Sequence, residues 1–249
     1  MLRAMQDRRV SPYTHRRELF RSVVISASVS VVAFLCVLLA SGFATAAEFQ
    51  CPHHNVVIYA ADSSDVDYVC EAAGEAIGFL AENDFNTSRV VEVHLVKKLP
   101  AEASASSYGC YDHPHRRVYM LPYLDCLERG PWASLPMDPE LYKSLLAHEV
   151  AHAVAAANFA IARPSMLAHE YLAYVTMFEI MAPDEREQLL NRLPGSGFDS
   201  VDQMSVTYYL MDPLRFGAES YRHFLKLEDQ KNFLKEVLSG RVKIGERGR

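Results

Sequence analysis

Five residues near the middle of the chain, His148-Glu149-Val150-Ala151-His152, constrain its architecture more than any other stretch. On an α-helix, residues four apart lie one turn above one another on the same face. Both imidazoles can then reach a single Zn²⁺ at about 2.0–2.1 Å. Glu149 is rotated away from the pair but stays close enough to take a proton from a water whose pKa the metal lowers to about 7. The flanks, Leu145-Leu146-Ala147 and Ala153-Val154-Ala155, are small and apolar. Two histidines and a glutamate on such a helix are costly to bury without a partner, and a metal is one. The plainer alternative is a pair of surface or hydrogen-bonded core histidines beside a solvated glutamate.

The helix that this spacing requires has a clear start in Asp138-Pro139-Glu140: a capping acid, proline at the first helical position, then an acid that suits the helix dipole. A catalytic zinc also needs a third protein ligand and an open position. The next expected helix, Met166–Met181 after Pro164-Ser165, offers two adjacent candidates, His169 and Glu170. If both ligate, the coordination is closed and the metal only braces the helices.

Before that point the chain reads as short strands: Asn55–Ala60, Val90–Val96, Tyr108–Tyr111 and Arg117–Leu121, the last two joined through Asp112-His113-Pro114-His115. A helix over Val66–Leu80 follows the capping groups Asp62-Ser63-Ser64. Later starts are a capping box at Ser200-Val201-Asp202-Gln203 and a second Asp-Pro pair at Asp212-Pro213, with a loop at Leu193–Gly197 and a stop at Gly240. Strands first and helices afterwards imply an α+β domain with its sheet packed on the first long helix.

In these residues the sequence resembles the gluzincin metallopeptidases, the H-E-x-x-H group that includes thermolysin and the zinc aminopeptidases. Their third ligand is a glutamate on the following helix, eighteen or more residues beyond the second histidine. Glu170 falls eighteen after His152, and Glu170-Tyr171-Leu172-Ala173 looks like the E-x-x-A of such helices. The resemblance covers roughly Gly109 to Leu238. It implies a zincin-like fold, a short N-terminal mixed sheet on the active-site helix with a helical part after it. It also implies one Zn²⁺ per chain held by His148, His152 and Glu170, with Glu149 activating water against a peptide bond. Tyr108–Tyr111 through Val118–Leu121 resembles the edge strands of small members, where the last strand lines the substrate cleft. Of Tyr208, Tyr209, Tyr221 and His223, we take Tyr221 and His223 to face the oxyanion. Departures are visible: Tyr174 stands where thermolysin-like members have an aspartate. Ala155 and Asn158 exclude the metzincin pattern, which wants glycine and histidine there.

The first 46 residues read as an export signal: six arginines against two acids up to residue 21, an uncharged stretch from Ser22 to Ala40, then Ala44-Thr45-Ala46 as a cleavage sequence. An uncleaved membrane anchor is the rival reading. Without them, 19 basic residues face 29 acidic ones, a net charge of about −10 that disfavours nucleic acid or anionic lipid as partner. Cys51, Cys70, Cys110 and Cys126 remain for 47–249, the single expected domain. An oxidising compartment, periplasmic or extracellular, suggests two disulfides. Three pairings are open, and the local pairs Cys51–Cys70 and Cys110–Cys126 are favoured. The remaining histidines read as surface groups: the His53-His54 pair, and His113 and His115 at a hairpin tip. The expected protein is an exported zinc-dependent peptidase. The rival is an inactive zinc-stabilised binding protein of the cell envelope.

Overall fold

The computed structural model describes residues 46–245, Glu102 excepted; the export-signal reading falls on 1–46, almost wholly outside that range. The described residues form an α+β fold in which a five-stranded mixed sheet precedes most of eight helices. The strands are β1 (Ala47–Gln50), β2 (Val56–Ala60), β3 (Val91–Leu95), β4 (Gly109–Asp112) and β5 (Arg117–Met120), in the order β1-β2-β3-β5-β4. β2, β3 and β5 run parallel, and the edge strands β1 and β4 are antiparallel to their neighbours. Helix α1 (Val66–Glu82) makes the crossover from β2 to β3.

Alternation decides which face is covered. Val56, Ile58 and Ala60, Val91 and Val93, and Val118 and Met120 are all buried on one face. The opposite face carries Tyr59, His94 and Tyr119 in a row, with ring centroids 4.7 and 5.2 Å apart, and an Arg117–Glu92 ion pair. A one-residue slip would exchange these two sets, so the pattern pins the register. Against the buried face lie α1 and the long helix α3 (Pro139–Asn158), which follows a short α2 (Tyr123–Arg129). α3 is buried on most sides because α4 (Met166–Ile180) packs on its other flank. Ala72, Ala73 and Ala76 of α1, Ala147, Ala151 and Ala155 of α3, and Ala168 and Ala173 of α4 let the three helices approach closely. Next come α5 (Pro183–Arg192), α6 (Val206–Met211), α7 (Pro213–Lys226) and α8 (Gln230–Ser239), with α7 lying on α4.

The caps read from sequence form at Asp138, whose carboxylate accepts from Leu141 N–H, at Ser165, which accepts from Ala168 N–H, and at Asp212, which accepts from Arg215 N–H. Two do not. Asp62 accepts from Ser64 N–H in a tight local turn instead of capping α1. Ser200 opens only a three-residue 3₁₀ turn, Val201–Gln203, because the Gln203 side chain is taken by Asp199 N–H; the next helix is capped by Ser205. No helix among the described residues is long and apolar enough to cross a membrane.

One of the two expected disulfides is present, Cys51–Cys70, tying the segment after β1 to α1. Cys110 and Cys126 are not bonded to one another. Cys110 sits on edge strand β4, whereas the Cys126 thiol is sealed in the core and donates to the Leu121 carbonyl. The Cys51–Cys70 bridge spans 19 residues of sequence, and closing a loop of that size stabilises by about 3 kcal/mol. Replacing both cysteines by alanine should lower the unfolding free energy by roughly 2–4 kcal/mol in a urea titration; an unchanged midpoint would show that the bridge contributes nothing.

Candidate metal centre

Positions 148 and 152 fall in the middle of α3, where the Leu- and Ala-rich helix is enclosed by the sheet and α4. Their rings turn the same way, and the two Nε2 atoms stand 3.2 Å apart. From α4, the Glu170 carboxylate reaches the same point, with Oε2 3.7 Å from His148 Nε2 and Oε1 3.8 Å from His152 Nε2. One donor atom from each of the three lies within 4.8 Å of the others.

Burial sets their charge states. Desolvation pushes the His148 imidazole down to about 3 and His152 well below its ordinary value, the latter helped by neighbouring histidines. Both are therefore neutral, each with a nitrogen lone pair to share. The Glu170 carboxyl is pushed up to about 7 by burial, against a hydrogen bond from the Tyr209 hydroxyl on α6. Two neutral imidazoles and one carboxylate converging in a dry setting form a donor set that suits Zn²⁺. Nδ1 of His148 and of His152 is buried without a hydrogen-bond partner, so these rings are oriented by packing. Tyr174 meets His148 edge-on at 4.6 Å, and Tyr111 lies parallel to His152 at 6.4 Å.

Glu149 opens into a cleft of about 560 Å³ together with the three residues of the cluster. Its carboxyl is pushed up to about 8, first by burial and then by the charge of Glu170, although the Tyr111 backbone N–H donates to it. Gly109 leaves it room: a Cβ there would come 3.0 Å from Glu149 Cγ and 2.8 Å from Met120 Sδ. The cleft is walled by β4, the Ser104–Ser107 segment, Trp132 and Tyr209.

Of the two candidates for third ligand, the structure turns Glu170 toward the histidine pair. It packs His169 between His113 and Phe159, with ring centroids at 4.6 Å from each. Tyr221 and His223 do not reach the cleft. Tyr221 stacks on Phe178 at 5.1 Å, and His223 Nδ1 is hydrogen-bonded to the Tyr171 hydroxyl at 2.8 Å. Both lie on the face of α7 that holds it to α4, and only Pro213 at the start of α7 borders the cleft. Of the four aromatic candidates on the late helices, the one that reaches the cluster is Tyr209. Its position on a helix of six residues gives no periodicity to reveal its direction. His113 and His115 are both exposed, as expected of a hairpin tip, but the His113 ring also packs on Tyr111 and His169 and borders the cleft, whereas His115 pairs with Asp112.

Residues 56–247 match the family of unknown function DUF6639. The chain belongs to the DUF6639 family. No curated protein and no solved structure matches it. The DUF6639 match runs from β2 beyond α8, so every residue of the cluster lies within it.

The tight crossing of α7 over α4 depends on Gly217, where an added Cβ would overlap the Tyr174 ring. Gly217→Ala should therefore destabilise the fold by about 1–3 kcal/mol, as overpacked cores do. It should also weaken the hold on any metal the cluster takes up, since Tyr174 packs on His148. Thermal unfolding and metal titration of the variant check both.

Proposed function

We propose that this chain is a zinc-dependent hydrolase of the gluzincin type, with a zincin-like fold, and that it cleaves peptide bonds outside the cytoplasm. One observation carries the reading: His148, His152 and Glu170 converge at a point bordered by Glu149, in a cleft walled by an edge strand. An accidental histidine pair would not account for a third donor arriving from a separate helix.

His148, His152 and Glu170 would hold one Zn²⁺. When bound, the ion supplies Lewis acidity, lowering the pKa of water and polarising a carbonyl oxygen. The remaining work falls to the chain. Glu149, which borders the cleft beside the cluster, is placed to take a proton from the attacking water and return it to the leaving amine. The Tyr209 hydroxyl, donating to Glu170, fixes the direction of that carboxylate. β4 has one hydrogen-bonding edge paired to β5 and the other facing away from the sheet, so an extended peptide can add there as a further strand. Because His169 turns away, the protein supplies three ligands, which favours an open position over the closed four-ligand arrangement of a purely structural site. The Cys51–Cys70 bridge and the N-terminal leader read from sequence support export.

The purified chain should carry about one zinc, and His152→Ala and Glu170→Ala should each lose it, as read by elemental analysis. Glu149→Gln should keep the metal while peptide turnover falls by about 10²–10⁴. Full turnover in Glu149→Gln, or a parent that takes up no zinc, would overturn the reading.

A further inference from the structure

A second recess adjoins the cleft and has the opposite electrostatic character from the rest of the molecule. Its walls are Arg89 and its neighbours ahead of β3, Arg116 in the β4–β5 turn, and Ala153, Val154, Ala156 and Ala157 of α3. Tyr111 borders both spaces, so the recess and the cleft adjoin at this residue. No acidic residue lines it. Neither Arg89 nor Arg116 takes part in an ion pair among the described residues. Two guanidinium groups at one small opening, neither in an ion pair, are unusual on a chain of net charge −6. Burial raises the Tyr111 hydroxyl; Arg116 opposes it most, Asp112 adds to it, and Arg89 opposes it least.

Backbone geometry adds an independent sign. Arg116 is held at φ 57, in the left-handed region. That conformation costs a non-glycine residue roughly 1–2 kcal/mol, and a turn there would ordinarily use glycine or asparagine. Strain of this kind concentrates where a side chain must be aimed. The recess measures about 50 Å³, against the roughly 10–15 Å³ that one water needs on the same measure. A carboxylate fits, and a planar guanidinium fork is the group that matches its geometry. The α3 wall begins beside His152 and ends a turn or so further on, about 6 Å along the axis. That is one to two residues of extended peptide.

We propose that Arg89 and Arg116 form a carboxylate-binding subsite, which selects peptides with an anionic group one or two residues from the bond at the metal cluster. The carboxylate belongs either to an acidic side chain or to a free C-terminus. The assignment rests on the peptide-hydrolase reading above.

The test uses the full chain carrying Glu149→Gln, supplied with zinc, so that binding is read without turnover. Trp132 is the only tryptophan and borders the cleft, so its fluorescence reports occupancy. Three probes are titrated: N-acetyl-Ala-Ala-Glu-Ala-Ala-amide, its Gln counterpart, and N-acetyl-Ala-Ala-Ala with a free carboxylate. The Glu peptide or the free-carboxylate peptide should bind at least about tenfold tighter than the Gln amide, and whichever does names the source of the anion. Arg89→Gln and Arg116→Gln, both at exposed positions, should each erase that difference while leaving binding of the Gln amide in place. Equal binding of charged and neutral peptides, or a preference that survives in both arginine variants, overturns the subsite and leaves the peptidase reading standing. Failure of all three probes to bind overturns the subsite and the peptide reading together, while zinc content still reports on the metal site separately.

Discussion

Four ionisable side chains, His148, Glu149, His152 and Glu170, share one small desolvated volume, and the rest of the fold is arranged around making that tolerable. Each would rather be in water, and their titration is displaced accordingly, the histidines downward and the carboxyls upward. The two imidazoles meet at 3.2 Å between Nε2 atoms, within hydrogen-bond distance of one another, and the charge of Glu170 adds to the displacement of Glu149. Such an arrangement persists only if the surrounding packing over-determines it. Here α3 is gripped by the sheet, α1 and α4 together, and the aromatic rings of Tyr111 and Tyr174 close around the histidines.

That enclosure explains the division of labour along the chain. The sheet contributes no residue to the cluster. It supplies a rigid floor for α3 and, through β4, one wall of the cleft. The helical second half supplies Glu170 from α4 and Tyr209 from α6, with α7 pressed behind them. The site is therefore a seam between elements distant in sequence, and the Cys51–Cys70 bridge lies away from it, at the start of α1.

Much of this was legible in the sequence because the informative residues act locally. A helix four-spacing, an Asp-Pro start and β-branched alternation need no knowledge of tertiary contacts, and α1, α3, α4, β2, β3, β4 and β5 follow from them. What escaped depended on distant partners. β1 is four residues whose only sheet neighbour is β2, and α2 and α6, of seven and six residues, are shorter than the window of about 11–18 residues over which helical periodicity is read. Tyr221 and His223 were misplaced because an aromatic on a late helix looks the same whether it faces a cleft or the core; the partners Phe178 and Tyr171 decided it. The same limit applied to Cys110 and Cys126, close in sequence but turned to different environments.

Two absent side chains say something about other members of the family. At Gly109 a methyl group would crowd the Glu149 side chain, and at Gly217 one would strike the Tyr174 ring. Neither glycine belongs to any recognisable signature, and each lies dozens of residues from the motif it serves. They work as a fingerprint. A relative that retains both glycines beside the two histidines and two glutamates has kept the space in which the base and the covering ring sit. A relative with a larger residue at either place has had to move one of them, and its pattern of five letters alone would not reveal the change.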